Sequence, residues 1–158
     1  LRTGRVPEHL RIFNDAAKES GKGEDIPRVA EIKISLSKDG QAARDFVKES
    51  SGNRILNMYR RGYSHEDIQR LGVDLEDADQ LNQAEEAGAS AAEFDDLVTD
   101  DMVDAIFIAG TPGDCLERMI EVQDTARKQG FHQLMYSELG PDIDEALGLL
   151  CDEIILAL

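Results

Sequence analysis

One short stretch of the chain combines the residue types that bind a ligand at the start of a helix. Gly110, Thr111 and Pro112 follow the apolar run of residues 105–109, and Asp114 comes two residues later. Threonine and proline favour the first positions of a helix, where free backbone N–H groups and the helix dipole attract phosphate or carboxylate. We therefore predict a binding role for Gly110, Thr111 and Pro112. The alternative is structural: Thr111 is an ordinary N-cap, and Gly110 relieves a tight turn.

A second polar group follows the next apolar segment, residues 131–136, which reads as a strand. Tyr136, Ser137 and Glu138 stand at its carboxyl end, where binding residues of parallel sheets collect. They are the predicted substrate-binding residues. The alternative is a core tyrosine followed by two polar loop residues.

The remaining reactive residues indicate neither a metal site nor a nucleophile. His9, His65 and His132 are isolated and lack the spacing of metal ligands. The pairs of aspartates at 95–96 and 100–101 have no calcium-loop spacing, so solvated acidic faces are the simpler interpretation. Cys115 stands near a helix start, where a thiol pKa tends to fall, but no His or second Cys lies beside it. It is interpreted as a small, partly buried residue, and no catalytic residue is identified.

Strands and helices alternate along the chain, which favours an α/β fold with parallel strands. Strands are predicted at residues 26–36, 105–109 and 131–136, and helices at 7–20, 41–50, 112–129 and from 141 onward. Residues 51–104 carry only short helical patterns and form a predicted helical insertion. Three strands cannot close a barrel, so one edge of the sheet is expected to lack a strand partner. The pattern resembles the end of a larger unit, and the start at Leu1 suggests a fragment or a processed chain.

Composition excludes several classes of function. The 158 residues include 33 acidic and 17 basic side chains, a net charge of -16, which would repel nucleic acid and anionic membranes. No run approaches the roughly 20 apolar residues that span a membrane, and the polar start is unlike a secretory signal. These features predict a cytoplasmic protein whose partners are small molecules, with no nucleic acid and no membrane.

The stretch from Val98 to Cys115 resembles the C-terminal signature of the luciferase-like oxidoreductases. In that family a short helix precedes a strand that ends in Gly-Thr/Ser-Pro-x-Asp/Glu, as Gly110 to Asp114 do here. A helix, a strand opened by Gly130-Phe131 and a Gly140-Pro141-Asp142 turn follow in the same order. Within the family the sequence is most similar to coenzyme F420-dependent methylenetetrahydromethanopterin reductases. The likeness spans almost the whole chain and is strongest over residues 98–158.

The resemblance implies that residues 1–158 are the C-terminal portion of a (β/α)8 TIM barrel, with about three parallel strands and a helical insertion at about 51–104. It implies hydride transfer between coenzyme F420, or alternatively FMN, and a pterin-like or other small organic substrate. The N-terminal half, which supplies much of the coenzyme pocket in the family, is absent, so this chain alone is expected to be inactive. The alternative is a non-catalytic half-barrel that assembles as a homodimer or with a partner half, because its open sheet edge needs a cover.

The charge pattern also predicts adaptation to high salt. Acidic residues outnumber basic ones almost two to one, and salt screens their mutual repulsion. We expect the melting temperature to rise when KCl is increased from low to molar concentration. A melting temperature that stays flat or falls over this range would reject the halophilic interpretation.

Overall fold

The computed structural model describes residues 6–22 and 26–158 as an α/β arrangement of helices around one small sheet. The strands are β1 (Val29–Leu36), β2 (Ile108–Gly110) and β3 (Gln133–Leu139). The helices are α1 (Val6–Glu19), α2 (Gly40–Phe46), α3 (Lys48–Arg60), α4 (His65–Gln69), α5 (Leu75–Glu86), α6 (Ala91–Leu97), α7 (Asp100–Ile106), α8 (Pro112–Lys128) and α9 (Ile143–Leu149), and a π-helical segment (Leu150–Ile155) continues α9. Leu1 lies outside the described residues.

The three strands run parallel in the order β2-β1-β3, so the first strand is the central one. The ladder between β1 and β3 is long and runs from Val29–Gln133 to Ser35–Leu139. The ladder between β1 and β2 has only three residue pairs, from Ile34–Ile108 to Leu36–Gly110. The predicted parallel α/β sheet is confirmed. In a ring of consecutive strands, β2 would lie between β1 and β3. Here β1 is central: it pairs over most of its length with β3 on one edge and over three residues with β2 on the other.

Tertiary contacts shift several element boundaries away from the sequence pattern. The predicted strand at 105–109 begins only at Ile108, because Ala105 and Ile106 end α7 and Phe107 is its C-cap. The predicted helix at 41–50 is broken at Val47, which caps both α2 and α3. The strand predicted at 131–136 runs instead from Gln133 to Leu139.

A run of helices, α3 to α7, fills most of the region where the sequence predicts short helical pieces. Side-chain caps begin four of them: Ser64, Asp74, Ser90 and Thr99 each accept a hydrogen bond from a backbone N–H of the first turn. These helices share an apolar cluster that contacts the sheet through Phe107 and Ala109. We call it the insertion cluster; its members include Ile55, Leu56, Ile68, Leu81, Met102 and Val103.

A separate apolar cluster, the sheet cluster, joins the strands to the last helices. The alternating residues Ile32, Ile34 and Leu36 of β1 are buried, as their period of two predicts. They pack against α8 and against the C-terminal helical segment, and the members on those elements are Cys115, Met119, Ala146, Leu149, Leu150 and Ile154. The sheet cluster therefore supports the strands independently of the helices between β1 and β2.

Arg44 of α2 connects these two parts of the molecule. Its Nε donates to Asp100 Oδ1 at 3.0 Å and its Nη1 donates to Asp104 Oδ1 at 3.1 Å, both on α7. The guanidinium also donates to the carbonyl oxygens of Asp100 and Ala109. Arg118 of α8 donates to the same Asp104 carboxylate at 3.1 Å. One arginine thus holds the end of the helical run against both α2 and β2.

We expect Arg44→Met to lower the free energy of unfolding by about 1–2 kcal/mol, because several hydrogen bonds to charged and carbonyl oxygens are lost. Arg44→Lys should recover less than half of the loss, since one ammonium cannot reproduce the guanidinium fork. Arg11→Met removes the same charge from the exposed pair with Asp15 and should cost at most about 0.5 kcal/mol. Urea unfolding of the three variants measures this, and equal losses for Arg44→Met and Arg11→Met would contradict it.

Candidate functional site

Three loops meet at the carboxyl edge of the sheet, where parallel α/β proteins bind their ligands. They are residues 37–39 after β1, residue 111 after β2 and residues 140–142 after β3. Glu145 of α9 joins two of them, because its Oε2 accepts from Ser37 Oγ at 2.9 Å and from the Lys38 backbone N–H at 3.3 Å. The end of β2 is joined to the loop after β1 through Gly110, whose carbonyl accepts from the Ser37 N–H.

The loop after β3 passes directly over the end of β1. A Cβ on Gly140 would lie 2.4 Å from the carbonyl oxygen of Leu36, and the φ of Gly140 is +148°. The two preceding residues, Glu138 and Leu139, also have positive φ values, 77° and 66°. Positive φ costs free energy for side chains other than glycine, so the chain is strained where it enters the candidate site. Only glycine allows this close approach of the two backbones.

The start of α8 is closed by its own side chains. Thr111 Oγ1 and the Thr111 backbone N–H both donate to Asp114 Oδ2, at 2.6 and 3.0 Å, and the Asp114 N–H donates back to Thr111 Oγ1. This is the capping box that the spacing predicts. Hydrogen bonds from the Thr111 hydroxyl and then from its backbone N–H hold the pKa of Asp114 below its usual value. An ionised carboxylate therefore occupies the position that a phosphate would need.

At the start of α8, Gly110 makes room for the capping box and Gly113 offers a backbone N–H donor to a ligand. A Cβ on Gly110 would lie 3.1 Å from Asp114 Cβ, so the glycine lets the capping box close. The backbone N–H of Gly113 lies outside the capping box, and the hydrogen bonds of the described residues do not engage it. Because an ionised Asp114 stands beside it, this donor suits a carbonyl or hydroxyl group better than an anion.

The three predicted substrate-binding residues lie in different surroundings. They lie inside β3 rather than after it. Tyr136 packs on the sheet cluster, and burial raises the pKa of its phenol. Ser137 Oγ donates to Glu31 Oε1 at 2.8 Å, and Glu138 pairs with the Lys33 ammonium, both across the ladder to β1. In this structure Ser137 and Glu138 therefore stabilise the strand pairing.

The histidines take local roles. His65 Nε2 lies 3.2 Å from Asp79 Oδ1, and His132 Nδ1 accepts from the Arg28 backbone N–H. The side chain of His9 lies outside the described residues. Among the described side chains, those of residues 10–22 and 26–158, no group of three or more His, Cys, Asp or Glu is arranged to hold a metal ion. Within the same ranges, no helix is long and apolar enough to cross a membrane.

Sequence reasoning missed Glu145, which joins two of the loops. The spacing Asp142-x-x-Glu145 signals a helix cap, and Asp142 Oδ1 does accept from the Glu145 N–H at 3.0 Å. The Glu145 side chain, however, reaches Ser37, 108 residues earlier in the chain. A local pattern identifies the cap but cannot identify a partner at that distance in sequence.

The parallel sheet, with loops converging at its carboxyl edge, defines the chain as an α/β protein. The family model for luciferase-like monooxygenases matches residues 5–129. The chain belongs to that family, as its resemblance predicts.

Proteins similar to this chain include 5,10-methylenetetrahydromethanopterin reductases. The chain is 29% identical over 141 residues to a 5,10-methylenetetrahydromethanopterin reductase of Methanolobus tindarius, covering 88% of this chain and 40% of the relative. It is 30% identical over 146 residues to the reductase of Archaeoglobus fulgidus, covering 87% and 40%. The coenzyme F420-dependent tetrahydromethanopterin reductase structure from Methanopyrus kandleri matches with a TM-score of 0.71 and 27% identity, covering 96% of this chain and 42% of that one. The chain thus spans about two fifths of the proteins it matches.

The two cysteines provide a test of the packing at the start of α8. Cys115 is buried, and burial raises the pKa of its thiol to about 11, whereas Cys151 is exposed. Because the thiolate is the reactive form, we expect a disulfide reagent at pH 8 to label Cys151 rapidly and Cys115 only after unfolding. Cys151→Ser should abolish the fast phase and Cys115→Ser should leave it intact. A fast phase that survives Cys151→Ser would contradict the burial of Cys115.

Proposed function

We propose that this chain is the C-terminal part of a coenzyme F420-dependent oxidoreductase that transfers hydride to or from a pterin-like or other small organic substrate. The observation that carries the proposal is the match over 96% of the chain to an F420-dependent reductase at 27% identity. The three carboxyl-end loops supply the matching place for a site. We place the protein in the cytoplasm as a homo-oligomer.

The coenzyme-binding residues in this proposal remain Gly110, Thr111 and Pro112. The capping box makes them a wall that does not attract phosphate, because Asp114 already provides a negative charge at the helix start. The backbone N–H of Gly113 would donate to a carbonyl or hydroxyl of the bound group. The donor set therefore fits the polar edge of a ring and not an anionic tail.

The coenzyme, when bound, supplies the hydride chemistry at its own ring. The residues of this chain would orient the reacting partners and exclude water. Tyr136, Ser137 and Glu138 remain the proposed substrate-binding residues; Glu138 is suited to this because it is exposed and lies in the strained segment before Gly140. The remaining wall of the site would come from chain beyond these residues.

The second candidate is a non-catalytic half-barrel that assembles with a second copy or with a partner half. Among the described residues, the outer edges of β2 and β3 have no strand partner, and uncovered sheet edges favour pairing with another chain. FMN remains the alternative coenzyme of the first candidate.

Titration of the chain with F420 and with FMN, followed by fluorescence, tests the proposal. We expect saturable F420 binding that is tighter than FMN binding. Thr111→Val should weaken it several-fold, because the loop geometry at the wall depends on the Thr111 hydroxyl. Thr99→Val is the matched control, since Thr99 is the N-cap of α7 and belongs to none of the three loops. Both variants lose one cap of about 1 kcal/mol.

Light scattering on the same samples distinguishes the two candidates. A stable dimer that binds neither coenzyme would support the assembling half-barrel and reject the coenzyme site. A monomer that binds neither coenzyme would overturn both. Equal weakening by Thr99→Val and Thr111→Val would remove Thr111 from the site.

A further inference from the structure

A cavity of about 360 Å³ lies beside the amino-terminal half of β1, away from the carboxyl-end loops. Its walls come from α3, from the end of α7 and from α8. Four of its 15 lining residues are basic, and only Glu31 is acidic. We call it the basic groove; its cations are Lys33, Arg54, Arg61 and Arg118. Such a cluster is unexpected in a chain where acidic residues outnumber basic ones 33 to 17.

Two of these cations have their charges balanced by the protein itself. The Lys33 ammonium pairs with Glu138 and lies 5.4 Å from the ring centroid of Phe107. Arg118 pairs with Asp104. Arg54 and Arg61 differ, because neither guanidinium takes part in an ion pair or a hydrogen bond among the described residues. Arg54 lies on α3, and Arg61 is the C-cap residue that follows this helix. Their separation of seven residues corresponds to about two helical turns, so both lie near the same side of α3.

The floor of the groove is apolar. Met58, Leu71 and Phe107 are buried beneath it, and Ile106 and Val122 line it while partly exposed. The ladder between β1 and β2 begins only at Ile34, so the β1 edge beside the groove, residues 31–33, has no strand partner on that side among the described residues. The groove thus combines two unbalanced guanidinium groups with an apolar floor, and its size suits a small organic molecule rather than a bare ion.

We propose that the basic groove binds a small aromatic anion, with its phosphate or carboxylate held by Arg54 and Arg61 and its ring on the floor formed by Phe107 and Leu71. Guanidinium groups recognise both anions through paired N–H donors. The ring gains free energy from leaving water. The lining of the groove includes none of the carboxyl-end loops, although its Lys33 pairs with Glu138, and the proposal does not rest on the proposed coenzyme chemistry.

Phenyl phosphate, benzoate, inorganic phosphate and phenol, titrated into the chain by calorimetry, form the test. We expect saturable binding of phenyl phosphate or benzoate, and the tighter of the two identifies the preferred anion. Inorganic phosphate and phenol should each bind at least about fivefold more weakly, because each uses only half of the groove.

The double variant Arg54→Gln/Arg61→Gln should weaken binding of the tighter ligand at least tenfold. Arg60→Gln/Arg70→Gln is the matched control: it removes the same two charges from exposed residues paired with Glu85 and Glu66 outside the groove. Its affinity should stay within twofold of the wild type. Absence of saturable binding, equal losses in both double variants, or inorganic phosphate binding as tightly as phenyl phosphate would each overturn the proposal.

Discussion

The close approach of the Gly140 loop to the end of β1 is the constraint on which the candidate site depends. It brings α9 over the sheet, so that Glu145 reaches Ser37 and Lys38. It is possible only because β1 and β3 pair in parallel and end at the same edge. A side chain at position 140 would displace the loop, and the hydrogen bonds that join the loops at that edge would be lost with it.

Local features of this fold were predictable from the sequence, and the reason is physical. The capping box of Thr111 and Asp114 depends on residues three apart, and the burial of Ile32, Ile34 and Leu36 follows from a period of two. Both signals act within a few residues, so no knowledge of the tertiary structure is needed to read them.

Long-range features were not predictable in the same way. The apolar run at 105–109 has the composition of a buried strand, yet residues 105 and 106 belong to helix α7. The reason is that Met102, Val103 and Phe107 pack together in the insertion cluster. The partners of Glu138 and Glu145 lie more than 100 residues away in sequence. The basic groove likewise collects residues from five elements, β1, α3, α7, β2 and α8, and no spacing in the sequence predicts it.

The two apolar clusters described above have a consequence for how the molecule opens. Because each has its own set of buried side chains, joined mainly where Phe107, Ala109 and Arg44 meet, the helices before β2 can exchange amide hydrogens as one cooperative unit and the strands with α8 and α9 as another. Substitutions in the helices between β1 and β2 can therefore accumulate without changing the packing of the sheet.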